Sequence, residues 1–402
     1  YGAIVITLGH YVLAIPSDKT FFLGLVLVSI GTGLLKPNIS TIVGELYKPG
    51  DLRIDSGYTI FYMSINIGSM LGFLVCGYLG EKVGWHWGFG AAGVGMTFGV
   101  LQYIFTKNSL GNAGKRPNLS DKEDINKYLS IFKYTSSILI LFLVTGFLGI
   151  WSIDPEFLNQ LTVYLILLVA AIYFGYLFFF AGLSATEKNN MKMLLLLFIG
   201  AVLFWAGFDQ GGSSLNLFAK DYTDLDVFGW EMPATFLQVA NPLMVVIFAP
   251  FFASFWINLG KRNLDPDTPQ KFAIGCFLMA IGFVVIIFGV EAALDNQKAG
   301  IQFLLLTYLF HTLGELCLSP VGLSATSKYS PTRFKGQMMG IWFLSSSLAA
   351  GLAGLLASKS FESGIASMPN LFSQIIIALI VVGVVLLISN RFVKASPIDE
   401  NS

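Results

Sequence analysis

The apolar positions of this chain come in long blocks. They do not alternate with a period of two, as on a half-buried strand, or return every three to four residues, as on a surface helix. Examples are Phe21–Val43, Leu161–Phe178, Met193–Phe208, Phe272–Val290, Phe303–Leu318 and Ile375–Ile388. A helix needs about 20 such residues to cross about 30 Å of hydrocarbon, and blocks of this size fit. In lipid every backbone polar group must be satisfied within the chain, so the blocks are predicted to be helices. The dyad alternation of a transmembrane barrel is missing. Twelve span cores are expected, over 2–16, 21–44, 58–80, 86–106, 134–152, 159–182, 193–219, 233–257, 271–291, 302–326, 336–357 and 371–391. The fold class is therefore an all-α polytopic membrane protein.

Composition agrees. Of 402 residues 55% are hydrophobic and 12% charged, against about 25% charged in a soluble domain. A net charge of zero gives no basic footprint for nucleic acid. Cys76, Cys276 and Cys317 lie inside apolar blocks, which points to packing and away from disulfides or zinc.

The basic residues are unevenly spread over the loops. One alternate set holds 18 of the 24, from Lys48 and Arg53 to Arg391 and Lys394. The other holds 5 of the 24: Lys19, Lys82, Lys220, Lys298 and Lys359. The remaining one is Lys36, inside a span. Basic loops stay in the cytoplasm, so the linker Lys107–Lys127 and the C-terminus are expected inside. Tyr58, Trp85, Trp87 and Trp230 are expected in the interfacial belts.

A weak repeat joins the two halves. Gly31-Thr-Gly-Leu-Leu-Lys-Pro37 and Gly314-Glu-Leu-Cys-Leu-Ser-Pro320 both place a glycine six residues before a proline. Each is followed by a basic loop, with Arg53 or Arg333, and then by an aromatic pair, Phe61-Tyr62 or Trp342-Phe343. Parallel six-helix repeats are one plan for secondary transporters.

Three ionisable residues stand out within the spans: Lys36, Asp209 and Glu315. A charge at helix centre costs about 2.5–3.5 kcal/mol on insertion scales, so it is retained where it faces a cavity or a partner. Two acids cannot both be paired by one base. Desolvation disfavours a charged carboxyl, which suits a group that loads and releases a proton. Trp205, Asp209 and Ser213 are expected on one helix face, as are His311, Glu315 and Ser319. Asn66 and Asn241 add polar side chains where lipid would not tolerate them unpaired. His311 reads as a structural histidine.

The stretch Gly31–Ser40 resembles the fourth-helix motif of the proton-dependent oligopeptide transporter family. Gly57–Ser69, with Phe61-Tyr-Met-Ser-Ile-Asn-Ile-Gly68, is similar to its fifth-helix signature. The likeness continues through Phe204–Ser214, Ala240–Pro250, Leu313–Pro331 and Gly340–Ser347. It implies a major facilitator fold of bacterial type, with two helical bundles and two extra helices between them, fourteen helices in full. The spans here would then be four, two and six, with the first two helices and their Glu-x-x-Glu-Arg motif absent. The start at Tyr1 agrees with a fragment. The domains expected are 1–107 (N-terminal bundle, truncated), 108–190 (linker with two helices) and 191–402 (C-terminal bundle and cytoplasmic tail).

The resemblance implies site roles residue by residue. Lys36 would face a peptide carboxylate and Glu315 a peptide ammonium, with Asn66 and Asn241 at the peptide backbone or amino end. Ser319, Trp205 and Trp342 would line the pocket. Asp209, where the family usually has Glu, would carry the coupling proton together with Lys36 and Glu315. The implied function is proton-coupled import of di- and tripeptides by alternating access, without a cofactor or metal. The setting would be a bacterial inner membrane, with a monomer as working unit. A major facilitator for another solute (drug, sugar or anion) would share the fold but would not need both Lys36 and Glu315. A membrane enzyme is disfavoured by the lack of a nucleophile–base set, and a channel by the lack of anything like a filter.

Overall fold

In the computed structural model, residues 1–47, 53–114, 155–227, 229–232, 234–296 and 298–389 are described, with scattered positions between 126 and 145. Among them, ten helical stretches are long and apolar enough to cross a membrane. The first part of the chain forms α1 (Gly2–Leu13), α2 (Asp18–Glu45), α3 (Ile54–Gly72), α4 (Tyr78–Lys82) and α5 (Trp85–Thr106). Next comes α6 (Pro155–Phe179), then α7 (Ala185–Phe208) and α8 (Ser214–Tyr222). The chain continues with α9 (Ala240–Lys261), α10 (Thr268–Asn296), α11 (Gln302–Tyr329), α12 (Lys335–Ser363) and α13 (Met368–Ser389). A two-stranded ribbon, β1 (Asp226–Val227) and β2 (Trp230–Glu231), fills part of the loop between α8 and α9. The span expected over 134–152 lies largely outside the described residues, as does the tail from 390.

Three boundaries differ from the sequence expectation, each for a local reason. The helix expected from 193 starts at Ala185, because Ser184 and Glu187 form a capping box: Glu187 N–H donates to Ser184 Oγ at 3.2 Å and Ser184 N–H to Glu187 Oε2 at 2.8 Å. That satisfies two end donors and allows a polar first turn. The same span, expected to run unbroken to 219, tightens to a 3₁₀ turn at Asp209–Gly212 and restarts at Ser214. Ser213, at φ −121° and ψ −97°, is not helical. The span 58–80 is continuous but widens into one π turn at Phe73–Gly77, a form that recurs at functional sites.

Tyr58 corrects an expectation. It is fully buried, not interfacial. Its hydroxyl donates to Ser40 O at 3.0 Å and meets the Ser327 side chain, tying α3 to α2 and α11. Trp85 and Trp87 are exposed, and the side chain of Trp230 lies outside the described residues.

The repeat seen in sequence is a packing device. In the α1–α2 pair, a Cβ added at Gly31 would stand 2.8 Å from Gly2 O, and one at Gly24 would stand 2.9 Å from Gly9 O. In the α10–α11 pair, a Cβ at Gly314 would stand 2.7 Å from Gly275 O. One turn pair along, Gly282 meets Thr307, whose Oγ1 donates to Gly282 O at 3.2 Å. Small residues let backbones approach where lipid gives no hydrophobic drive to pack helices.

Helix α6 lies against α12. Val163, Ala170, Phe174 and Leu177 are buried, while Tyr164, Leu168, Ile172 and Phe179 on other faces are exposed. Asn159 Nδ2 donates to Gly351 O at 3.2 Å and Tyr173 Oη to Gln337 Oε1 at 2.9 Å.

Candidate functional site: a polar cleft between helices

Glu315 sits at the middle of α11 with 3% of its surface exposed. Both carboxylate oxygens are occupied. Tyr62 Oη on α3 donates to Oε1, and Asn241 Nδ2 on α9 donates to Oε2 at 2.7 Å. Asn241 Nδ2 also reaches Thr312 Oγ1 at 2.9 Å. Three helices from the two ends of the chain therefore meet at one acid. Hydrogen bonds to a charged group are the strong ones, and leaving such a group unpaired in a buried place is costly.

Tyr62 was missed as a site residue. The signal was present: it lies one turn before Asn66 on α3, and the two share a face. Asn66 is buried, and its Nδ2 donates back to Tyr62 O at 3.0 Å. Ser319, one turn after Glu315, is also buried, and its side chain meets the Tyr62 hydroxyl.

Lys36 lies on α2 just before Pro37, which the helix accommodates without a break. Its Nζ stands over the Phe343 ring on α12, 5.6 Å from the centroid. A cation over an aromatic face is attracted by the ring quadrupole. The charges of Lys36 and Asp209 act on each other through space. Lys36 is the cation of the N-terminal part whose field reaches Asp209.

Asp209 opens the 3₁₀ turn after α7 and is half-buried. It lines a cavity of about 480 Å³ with Ser69 and Phe73 from the α3 side, Asn241 from α9, and Tyr308 and His311 from α11. The cavity is the size of small-ligand sites. The expected face of Trp205, Asp209 and Ser213 is broken by the turn, though Asp209 and Ser213 still line one cavity. Trp205 packs edge-on to Phe204 and Phe208.

Trp342 is buried. Its ring meets Phe272 edge-on at 6.0 Å and covers Gly322. His311 is buried against Phe283 and Gly282 and lies at the edge of the cavity that Asp209 lines. Glu45, at the end of α2, accepts from Gly114 N–H at 2.7 Å. The structure thus brings Asn241 and Glu315 into one hydrogen-bonded cluster with Tyr62. It leaves Lys36 and Asp209 within reach of each other's field, and it places Trp342 in a helix interface.

Helices long and apolar enough to cross a membrane, packed around a buried hydrogen-bonded acid, point to a polytopic transporter of the major facilitator fold. The chain matches the POT family over residues 1–368. It is 37% identical over 399 residues to the peptide transporter YePEPT of Yersinia enterocolitica, covering 96% of this chain and 78% of that one. It is 32% identical over 401 residues to a di-/tripeptide transporter of Lactococcus lactis, covering 97% and 79%. Its backbone follows a crystal structure of the peptide transporter POT in complex with sulfate at a TM-score of 0.82, with 37% identity, over 98% of this chain and 79% of that one. The chain belongs to the POT family and is a multi-pass membrane transporter, not an enzyme.

Proposed function

We propose that this protein imports di- and tripeptides with protons by alternating access. The observation that carries the reading is Glu315, buried and held by Tyr62 and Asn241 from two other helices. Those donors are neutral, so when Glu315 is ionised no cation of the protein competes with an incoming ammonium in these hydrogen bonds. Lys36 supplies the opposite charge for a peptide carboxylate, with Phe343 beneath it. A dipeptide is a zwitterion with its charges a few bonds apart, and one fixed cation and one fixed anion orient it. Asn66 and Asn241 serve its backbone, and Ser319 and Trp205 form the walls, with Trp342 supporting them from the helix interface behind. The relatives, a peptide transporter and a di-/tripeptide transporter, support the substrate class.

Asp209 carries the coupling proton. Deprotonated, it is held by the field of Lys36; protonated, it releases Lys36 to the substrate and shifts the population toward the other facing state. No cofactor takes part. We take 1–107 as the N-terminal bundle, 108–190 as a linker and 191–402 as the C-terminal bundle. The protein works as a monomer in a bacterial inner membrane with its C-terminus in the cytoplasm, in line with the basic loops.

Competition with blocked peptides tests this reading. Free dipeptides should displace a labelled dipeptide, while N-acetylated and C-amidated forms should compete at least about tenfold more weakly, because each leaves one fixed charge unpaired. Equal competition by blocked and free peptides would remove Lys36 and Glu315 from substrate recognition.

A further inference from the structure

We propose that Gln210 is the positioning residue of Asp209: its side chain straps the helix break that aims the carboxyl into the cavity. The inference rests on the reading of Asp209 as the coupling acid. Gln210 is fully buried, next in sequence to an acid that faces the cavity. Successive residues of a 3₁₀ turn point about 120° apart, so Gln210 faces away from Asp209.

Its amide spans the break. Nε2 donates to Ala206 O on α7 at 3.3 Å, and Oε1 accepts from Ser214 Oγ on α8 at 2.7 Å. Ser213 Oγ reaches the same oxygen at 3.3 Å, and Nε2 makes a long contact of 3.5 Å with Ala353 O on α12. One side chain therefore joins the helix before the break, the helix after it and the neighbouring wall of the cavity, which Ala353 also lines.

Glycine does not force the break. A Cβ at Gly212 would meet open space, one at Gly211 would stand 3.9 Å from the Tyr308 ring, and neither residue has a positive φ. An apolar residue would fill the site of Gln210 without the cost of burying an amide. The amide is accounted for by what it joins. With the strap in place, Asp209 has one direction relative to Lys36 on α2. Without it, α7 and α8 turn independently and the carboxyl loses its aim. The other titratable groups facing this cavity are Tyr308 and His311 on α11.

Gln210→Met keeps the volume and removes the polar atoms. In proteoliposomes it should lower the ratio of gradient-driven uptake to counterflow exchange by about tenfold and flatten the pH profile of uptake. Ser214→Ala, which removes the 2.7 Å bond alone, should move both in the same direction by about threefold, and it serves if Gln210→Met does not fold. A second readout is independent of the substrate. With Cys76→Ala, a cysteine introduced by Asp209→Cys should change its labelling rate by a soluble maleimide about threefold or more when Gln210→Met or Ser214→Ala is added. If the protein moves no di- or tripeptide at all, the functional reading fails, and the labelling still decides the strap. Unchanged labelling and an unchanged uptake ratio in both variants would overturn the proposal. So would an equal loss of driven uptake and counterflow, which marks a role in folding or binding.

Discussion

The pairs α1–α2 and α10–α11 are built on the same backbone plan and used for opposite charges. In each, glycines two turns apart bring two helices within van der Waals reach: Gly2 and Gly9 face Gly31 and Gly24, and Gly275 and Gly282 face Gly314 and Thr307. Each long helix then carries a charge near a mid-helix proline, Lys36 with Pro37 in one and Glu315 with Pro320 in the other. The difference lies in what surrounds the charge. Glu315 is buried and fully hydrogen-bonded, while Lys36 is exposed over an aromatic ring. Close backbone approach is kept in both halves because packing requires it. The side chains at the charge differ, and a ligand with two unlike ends needs that difference.

The largest effects should come from removing either charge. Lys36→Ala and Glu315→Gln should each reduce dipeptide uptake by at least about thirtyfold, since truncating one partner of a desolvated charge pair costs about 2–5 kcal/mol. The check is uptake alongside circular dichroism. A variant that folds and transports normally would take that residue out of the site and break the comparison.

Asp209→Asn separates coupling from binding. Accumulation driven by a proton gradient should fall to the equilibrium level, while counterflow of labelled peptide persists, because exchange needs no net proton movement. Accumulation by Asp209→Asn would assign coupling to another group.

The glycine plan predicts smaller losses of stability. Gly314→Ala and Gly31→Ala should each lower stability by about 1–3 kcal/mol through overpacking, read by thermal unfolding in detergent. Gly31 should lose more, because its Cβ would stand 2.6 Å from Ile6 Cγ1, 2.7 Å from Ile6 N and 2.8 Å from Gly2 O, whereas at Gly314 only Gly275 O, at 2.7 Å, lies that close. Equal tolerance at both positions would mean that the shared spacing has no packing role. Smallest is Thr307→Val, which removes the bond to Gly282 O and should cost about 0.6 kcal/mol, the average for such bonds between membrane helices.

Much of this was legible in the sequence, and what was not has a common cause. Lipid imposes a length and an apolar composition on every span, so the described spans fall where the apolar blocks lie, and Lys36, Asp209 and Glu315 stand out within them. Local chemistry shifts the edges. The Ser184–Glu187 box draws six polar residues, Thr186 to Asn190 and Lys192, into α7, and the strap of Gln210 and Ser214 spans a break in a helix that hydropathy reads as continuous. Partners depend on tertiary approach and have no sequence signal. Tyr62 and Glu315 are far apart in the chain, Lys36 and Asp209 are as well, and Tyr58 is an aromatic residue near a helix end that turns inward.

The central claim is that opposite charges on two equivalent helices bind a peptide whose movement is driven by protons. Uptake of a labelled dipeptide by the purified protein in proteoliposomes, under an imposed inward-acid gradient, tests it most directly. The account predicts accumulation above the outside concentration, abolished by a protonophore and by excess unlabelled dipeptide but not by excess free amino acid. Uptake that only equilibrates, or that ignores the proton gradient, would contradict it.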